Sequence, residues 1–308
     1  MERQKLIILF LILMSSISAL SDQCLTPPAF NASAQAKNLT HANDYAYILV
    51  DGIRLFYFSR NFQPAIEVLR DELSVKDVVL VSPEVSTSIN ENALLIAKTI
   101  SSVIQKTHKN IYLVAQSRGA AEALLSLLDR PQLLVSASHP GVAKIILAQG
   151  ALKGTPLADI WDTVCNASPN FIAPVSEILC AYLSPMRLSL KGLTPAVMEN
   201  LVGGRISQLT PEQVENFRSK IYFVRSALPA IEASFFIKPG IQAINEMTSG
   251  CHDNDGMIPA SSQIIQGLGQ DLGVFRGAHS DLFHGRPAGL LLEKKTFFKN
   301  LLEFTQRQ

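Results

Sequence analysis

The chain has 308 residues, enough for one large domain or two small ones, and 47% of them are hydrophobic, which suits a well-buried core. Its formal charge of +1 removes any electrostatic case for nucleic acid or for strongly acidic partners. It holds no internal repeat, low-complexity tract or long run of like charge.

Residues 1–21 read as a signal peptide. Arg3 and Lys5 make a basic start, Leu6 to Met14 is an unbroken apolar run, and Ala19-Leu20-Ser21 fits a cleavage site that leaves Asp22 first. The alternative is an uncleaved anchor, for which the run is short. Lipid attachment at Cys24 is disfavoured by Gln23, where Gly or Ala is needed. The expectation is an exported protein, periplasmic or secreted. Four cysteines, Cys24, Cys165, Cys180 and Cys251, are an even count that suits disulfides in such a compartment. Cys165 with Cys180 is the most local pairing, which leaves Cys24 with Cys251. Three pairings remain open, as do buried free thiols, and no spacing resembles a zinc site.

Along the rest of the chain, apolar runs of strand length alternate with amphipathic helical stretches. Strands are predicted at 45–50, 77–81, 111–114, 144–148, 221–224 and 273–275, and helices at 64–73, 92–105, 120–128 and 294–304. This alternation predicts an α/β fold, a mainly parallel sheet flanked by helices. Two stretches break it. Residues 151–219, rich in Pro and Ser and holding the single Trp, are expected to form a helical cap or lid inserted over the active edge. Residues 227–252 read as irregular.

Ser117 sits in Val114-Ala115-Gln116-Ser117-Arg118-Gly119, between an apolar strand and a helix. That arrangement predicts a nucleophile elbow, a tight turn that requires small residues two before and two after the Ser; here they are Ala115 and Gly119. A Ser hydroxyl needs a base. In a parallel sheet the ligand crevice lies beyond the carboxyl ends of the strands, so each of the six His can be judged by its position. His108 and His139 precede strands and fall at the wrong edge. His279 follows the last strand and is the favoured base, with His284 as a rival. The base needs a carboxylate to orient it. Asp255, in Asn254-Asp255-Gly256, is favoured over Asp253 and the more distant Asp159. Asp-Gly is also an ordinary loop turn. The oxyanion hole needs two backbone N–H groups. They are assigned to Arg118, directly after the nucleophile, and Ile53, in the loop after the first strand, where Gly52 allows close approach.

These segments, with Asn90-Glu91-Asn92-Ala93, Gly154-Thr155-Pro156-Leu157-Ala158-Asp159 and Gly277-Ala278-His279-Ser280-Asp281, resemble the α/β-hydrolase superfamily, and more narrowly bacterial lipase-like hydrolases. The resemblance spans roughly residues 45–285. It implies a single hydrolase domain over 22–308, a Ser117-Asp255-His279 triad, and cleavage of carboxylic esters, lipids included. Two departures stand out: Ala115 replaces the usual Gly, and Asp51 stands where a His is often found. Some secreted relatives of this type hold a structural calcium near the catalytic His, and Asp281 matches one such ligand. No cofactor is otherwise required, and no nucleic acid or stable protein partner is implied. Apolar residues in 151–219 (Leu157, Ile160, Trp161, Phe171, Ile172, Ile178) would suit transient contact with a lipid interface, or the packed core of a static cap. The same triad serves an acyltransferase, and a hydrolase-like binding protein without catalysis is the third reading.

Overall fold

The computed structural model describes residues 31, 36, 39–53, 62–159, 187–230, 232, 238–247, 253–279 and 294–308. The leader, all four cysteines, residues 160–186, His284 and Asp281 lie outside the described residues. No helix among the described residues is long and apolar enough to cross a membrane.

Six strands form one parallel sheet: β1 (Tyr45–Val50), β2 (Val78–Val81), β3 (Asn110–Gln116), β4 (Val142–Ala148), β5 (Ile221–Ala227) and β6 (Gln270–Arg276). Their order is β2-β1-β3-β4-β5-β6. The central strands are apolar almost throughout and buried on both sides, as parallel strands covered by helices must be. One sheet face packs against α2 (Ile89–Thr107) and α3 (Arg118–Leu128). The other packs against α1 (Gln63–Glu67), its π-helical continuation Val68–Glu72, and α8 (Lys294–Arg307). The chain runs from β1 to β2 on one side, then returns through α2 to β3 on the other. The β1/β3 boundary is therefore the topological switch point, where parallel sheets open a crevice.

The helices begin where local chemistry lets them. At the start of α2, Ser88 Oγ accepts from the Glu91 N–H at 3.3 Å while Glu91 Oε2 accepts from the Ser88 N–H at 2.9 Å, a reciprocal cap. Its buried residues, Ile89, Asn92, Ala93, Ile96, Ala97, Ile100 and Val103, follow the helical repeat. It stops at His108, which takes the left-handed conformation, φ 56°. In α3 every residue is buried, because it lies between the sheet and both α2 and the 193–217 segment.

Within 151–219, the described helices are α4 (Arg187–Gly192), α5 (Pro195–Met198, continuing through Glu199–Gly203 to Ile206) and α6 (Pro211–Arg218). Leu193, Met198, Val202 and Phe217 join the same core as α2 and α3. Ser189 meets the Arg118 end of α3, and Arg205 pairs with Asp129 at its other end, 2.5 Å. This part runs down the flank of α3. Of the apolar residues named for a lid, only Leu157 is described.

The 227–252 stretch departs from expectation: it contains a helix, α7 (Lys238–Met247). Its Pro239 falls in the first turn, where no intrahelical N–H bond is lost. Two buried residues, Ile241 and Ile244, form too short a stripe to read as periodic. Strand β6 is seven residues long rather than three.

Candidate active site

The strand-to-helix turn after β3 places Ser117 at φ 58°, ψ −130°, a conformation rarely open to a side-chain-bearing residue and one that persists only where its surroundings enforce it. The enforcement is visible. The Ser117 N–H donates to Ala148 O at 3.0 Å, and Ser117 O accepts from the Ala120 and Ala151 N–H groups at 3.1 and 3.3 Å. The turn also needs space. A Cβ on Gly119 would lie 2.2 Å from Asp51 O, and one on Gly52 would lie 2.7 Å from Ser117 Cβ. Ala115 is tolerated as a fully buried β3 residue facing Val50 and Leu147.

His279, just beyond β6, brings Nε2 to 2.7 Å from Ser117 Oγ and Nδ1 to 2.8 Å from Asp255 Oδ2. A carboxylate only accepts, so the Nδ1–H donates and Nε2 is left to accept from the Ser117 hydroxyl. Asp255 is fully buried, and its other contacts are also donors. Oδ1 accepts from the Met257 and Ile258 N–H groups at 3.0 and 2.8 Å, and Oδ2 from Gln263 Nε2 at 3.2 Å and Ser226 Oγ at 3.3 Å. The His279 N–H also donates to Asp255 O at 2.9 Å, which pins the base backbone to the acid backbone. The Asp255 turn rests on α7, where a Cβ on Gly240 would meet Gly256 O at 2.1 Å.

The other sequence candidates stay apart. His41 pairs with Asp44 on the surface, 2.9 Å, and His139 is exposed. Asp159 is exposed, and it is Asp255 rather than Asp253 that faces His279.

Val50 and Ala115 are register partners, so the loop after β1 lies beside the elbow. Asp51 is buried there, and its Oδ1 accepts the Gly52 N–H at 3.0 Å. The Gly52 backbone packs directly against Ser117. The Arg118 N–H belongs to the first turn of α3, where the helix leaves donors unsatisfied and its dipole favours negative charge.

Among solved structures, the chain is similar to a metagenomic carboxyl esterase, with a TM-score of 0.60, 17% identity and coverage of 93% of this chain and 88% of that one. It is also similar to the mature form of Bacillus licheniformis lipase BlEst2, with a TM-score of 0.57, 13% identity and coverage of 91% and 96%. The fold is that of the α/β-hydrolases. No protein-family model and no curated protein matches the chain.

Two buried polar clusters in this α/β-hydrolase fold were not anticipated. The first surrounds the Arg118 side chain. Its Nε lies 2.6 Å from Glu122 Oε1 with both groups buried, an ion pair that is poorly aligned as a hydrogen bond, since Arg118 Nε and Glu122 Oε2 have no hydrogen-bond partner. The guanidinium also donates to Glu84 O at 3.3 Å, Thr87 O at 3.0 Å and Ser189 Oγ, so it joins the loop after β2 and helix α4 to the elbow. Asn92 Nδ2 donates to Glu122 Oε1 at 2.8 Å. Burial pushes the Glu122 carboxyl up to about 7, against the opposing pull of Arg118. The second cluster links Gln116, Gln149, Ser226 and Gln263 behind the triad. The available sequence signal was modest: Gln116 and Gln149 are polar residues placed where apolar strands reach their carboxyl ends.

Proposed function

We propose that the protein is a serine hydrolase of carboxylic esters, an esterase or lipase. The observation that carries this reading is the continuous contact Ser117 Oγ–His279 Nε2–Asp255 Oδ2, at 2.7 and 2.8 Å. Ser117 Oγ attacks the ester carbonyl carbon as its proton passes to His279 Nε2. The carbonyl oxygen becomes an oxyanion held by the Ile53 and Arg118 N–H groups. Collapse breaks the bond to the alkoxy oxygen, which takes the proton from His279 and leaves as the alcohol. Water then attacks the acyl-enzyme, gives its proton to His279, and the acid departs as Ser117 regains its hydrogen. Asp255 holds the His279 tautomer throughout.

The two similar structures are named a carboxyl esterase and a lipase, which agrees in kind with this reading. The basic, apolar and small-residue order of residues 1–21 supports a reaction outside the cytoplasm.

The test is hydrolysis of nitrophenyl esters from short to long acyl chain, by the mature protein and by Ser117→Ala. Hydrolysis by the first and its loss in the second supports the serine mechanism, and the chain-length profile separates esterase from lipase. Equal rates in both rule out Ser117 as the nucleophile. Acyl transfer to an added alcohol in preference to water would replace hydrolase with acyltransferase.

A further inference from the structure

Behind the triad, the carboxyl ends of three neighbouring strands carry polar side chains where apolar ones would pack without need of partners. Gln116 ends β3, Gln149 directly follows β4, and Ser226 is the penultimate residue of β5. All three are buried. Gln116 Nε2 donates to Gln149 Oε1 at 2.8 Å and to His279 O at 3.0 Å. Gln149 Nε2 donates to Ser226 Oγ at 2.6 Å and to Ala278 O at 3.0 Å. Ser226 Oγ donates to Asp255 Oδ2 at 3.3 Å. The amide orientations are fixed by chemistry, because the two carbonyls at 278 and 279 accept only, so each Gln must turn its NH₂ toward them. Every bond in the row then points the same way, from Gln116 through Gln149 and Ser226 to the carboxylate that orients His279.

Two unfavourable features accompany the row. Gln149 is held at φ 50°, a left-handed conformation that a residue with a Cβ adopts at a cost. Gln116 Oε1 is buried with no hydrogen-bond partner, which a core of aliphatic residues would avoid. Strain and unmet polarity of this kind persist where the surroundings over-determine them, and they cluster at functional sites.

We infer that Gln149 is a positioning residue: its amide, at the centre of the row, fixes the 278–279 backbone and the Asp255 carboxylate at once, and so holds the His279 ring between Ser117 and Asp255. The inference rests on the serine-hydrolase reading. When His279 carries the Ser117 proton, the imidazolium is drawn toward Asp255, and a loop anchored by two side-chain amides keeps Nε2 in line with the reacting oxygens. Gln149 itself touches neither substrate nor the reacting atoms.

The test compares wild type, Ser117→Ala, Gln149→Leu and the near-isosteric Gln149→Glu. Hydrolysis of a nitrophenyl ester and the rate of Ser117 labelling by a fluorophosphonate probe are followed, and thermal melts check folding. Gln149→Leu is expected to lower kcat by about 10- to 100-fold with KM within about twofold, and to slow labelling in parallel. The Gln149→Glu carboxyl can donate only while protonated, and burial shifts its ionisation up in pH into the working range. That variant is expected to lose activity as pH rises, with an alkaline limb about one unit or more below that of wild type. A residue that merely fills space would not give such a limb. Gln149 variants equal to wild type in kcat, labelling and pH profile would overturn the inference. So would failure of both to fold, since Gln149 would then be a folding residue. Retention of hydrolysis and labelling by Ser117→Ala would instead remove the underlying reading, whatever the Gln149 variants do.

Discussion

In the proposed mechanism His279 acts as a base only while Nδ1 keeps its proton, and that condition is set by a neighbour it meets across 24 residues of chain, Asp255. An amide in place of that carboxylate can offer its NH₂ to Nδ1, which moves the proton to Nε2 and leaves nothing to accept from Ser117. Asp255→Asn is therefore expected to lower kcat by roughly 10⁴-fold while the protein still folds, measured by ester hydrolysis alongside circular dichroism. Glu122 poses a different problem at the same scale. Its carboxyl is pushed up to about 7 by burial, so it holds its proton more tightly folded than unfolded. Its contribution to stability is then fully present below the unfolded value of about 4.3 and is lost as pH rises toward 7. The stability of wild type relative to Glu122→Gln is expected to fall by about 1–3 kcal/mol between pH 5 and pH 8, measured by urea unfolding at each pH. That Ser117, Asp255 and His279 could meet was legible in the sequence, because chain order and strand ends limit which residues come together. The choice of Asp255 over Asp253 was not settled there, since one dihedral in a loop redirects a side chain.

At the scale of elements, the elbow works because a buried strand and a buried helix meet at one strained residue. β3 and α3 are each held by neighbours on both sides, so Ser117 cannot relax without dislodging one of them. α2 supports α3, and its start depends on the Ser88–Glu91 cap. Ser88→Ala is expected to cost about 1 kcal/mol, read as a lower urea midpoint with unchanged kcat, since Ser88 makes no contact with the triad. Strands and long helices were legible from their apolar periodicity. α7 was not, because ten residues with two buried aliphatics leave little periodic signal, and its packing against the Asp255 turn through Gly240 is a contact that only folding creates.

At the scale of the whole molecule, the described residues pack a core on each face of the sheet, and neither face is dispensable. Helix α8 seals one of them with Phe297, Phe298, Leu301 and Leu302, all fully buried. The Tyr47–Tyr112 stack, with ring centroids 5.2 Å apart, lies in the same core. Thr305 on α8 bonds the Tyr112 hydroxyl, and Gln306 Nε2 donates to Tyr47 Oη at 3.3 Å. Removing 294–308 would expose the central strands and forfeit the burial of those four side chains, together about 6–12 kcal/mol. That is comparable to the whole net stability of a domain, roughly 5–15 kcal/mol. The truncated chain is expected to be insoluble or to lack a cooperative thermal transition, measured by calorimetry against the full chain. The contact among Ser117, Asp255 and His279 would be lost with it, because each of them follows the carboxyl end of a sheet strand.

By itself, the sequence determined what short-range physics can express: strand and helix alternation, a parallel sheet, the elbow at Ser117, and the active edge that follows from strand direction. Each depends on periodicity or turn chemistry within a few residues. The tertiary structure alone decided the strand order with its switch between β1 and β3, the docking of α7 under Asp255, the flank position of α4 to α6, and the buried row from Gln116 to Asp255. Those features join residues from 16 to 77 positions apart. Such pairings carry no local signature, because a buried amide is chosen by the carbonyls it will face and those are assembled only when the chain has folded.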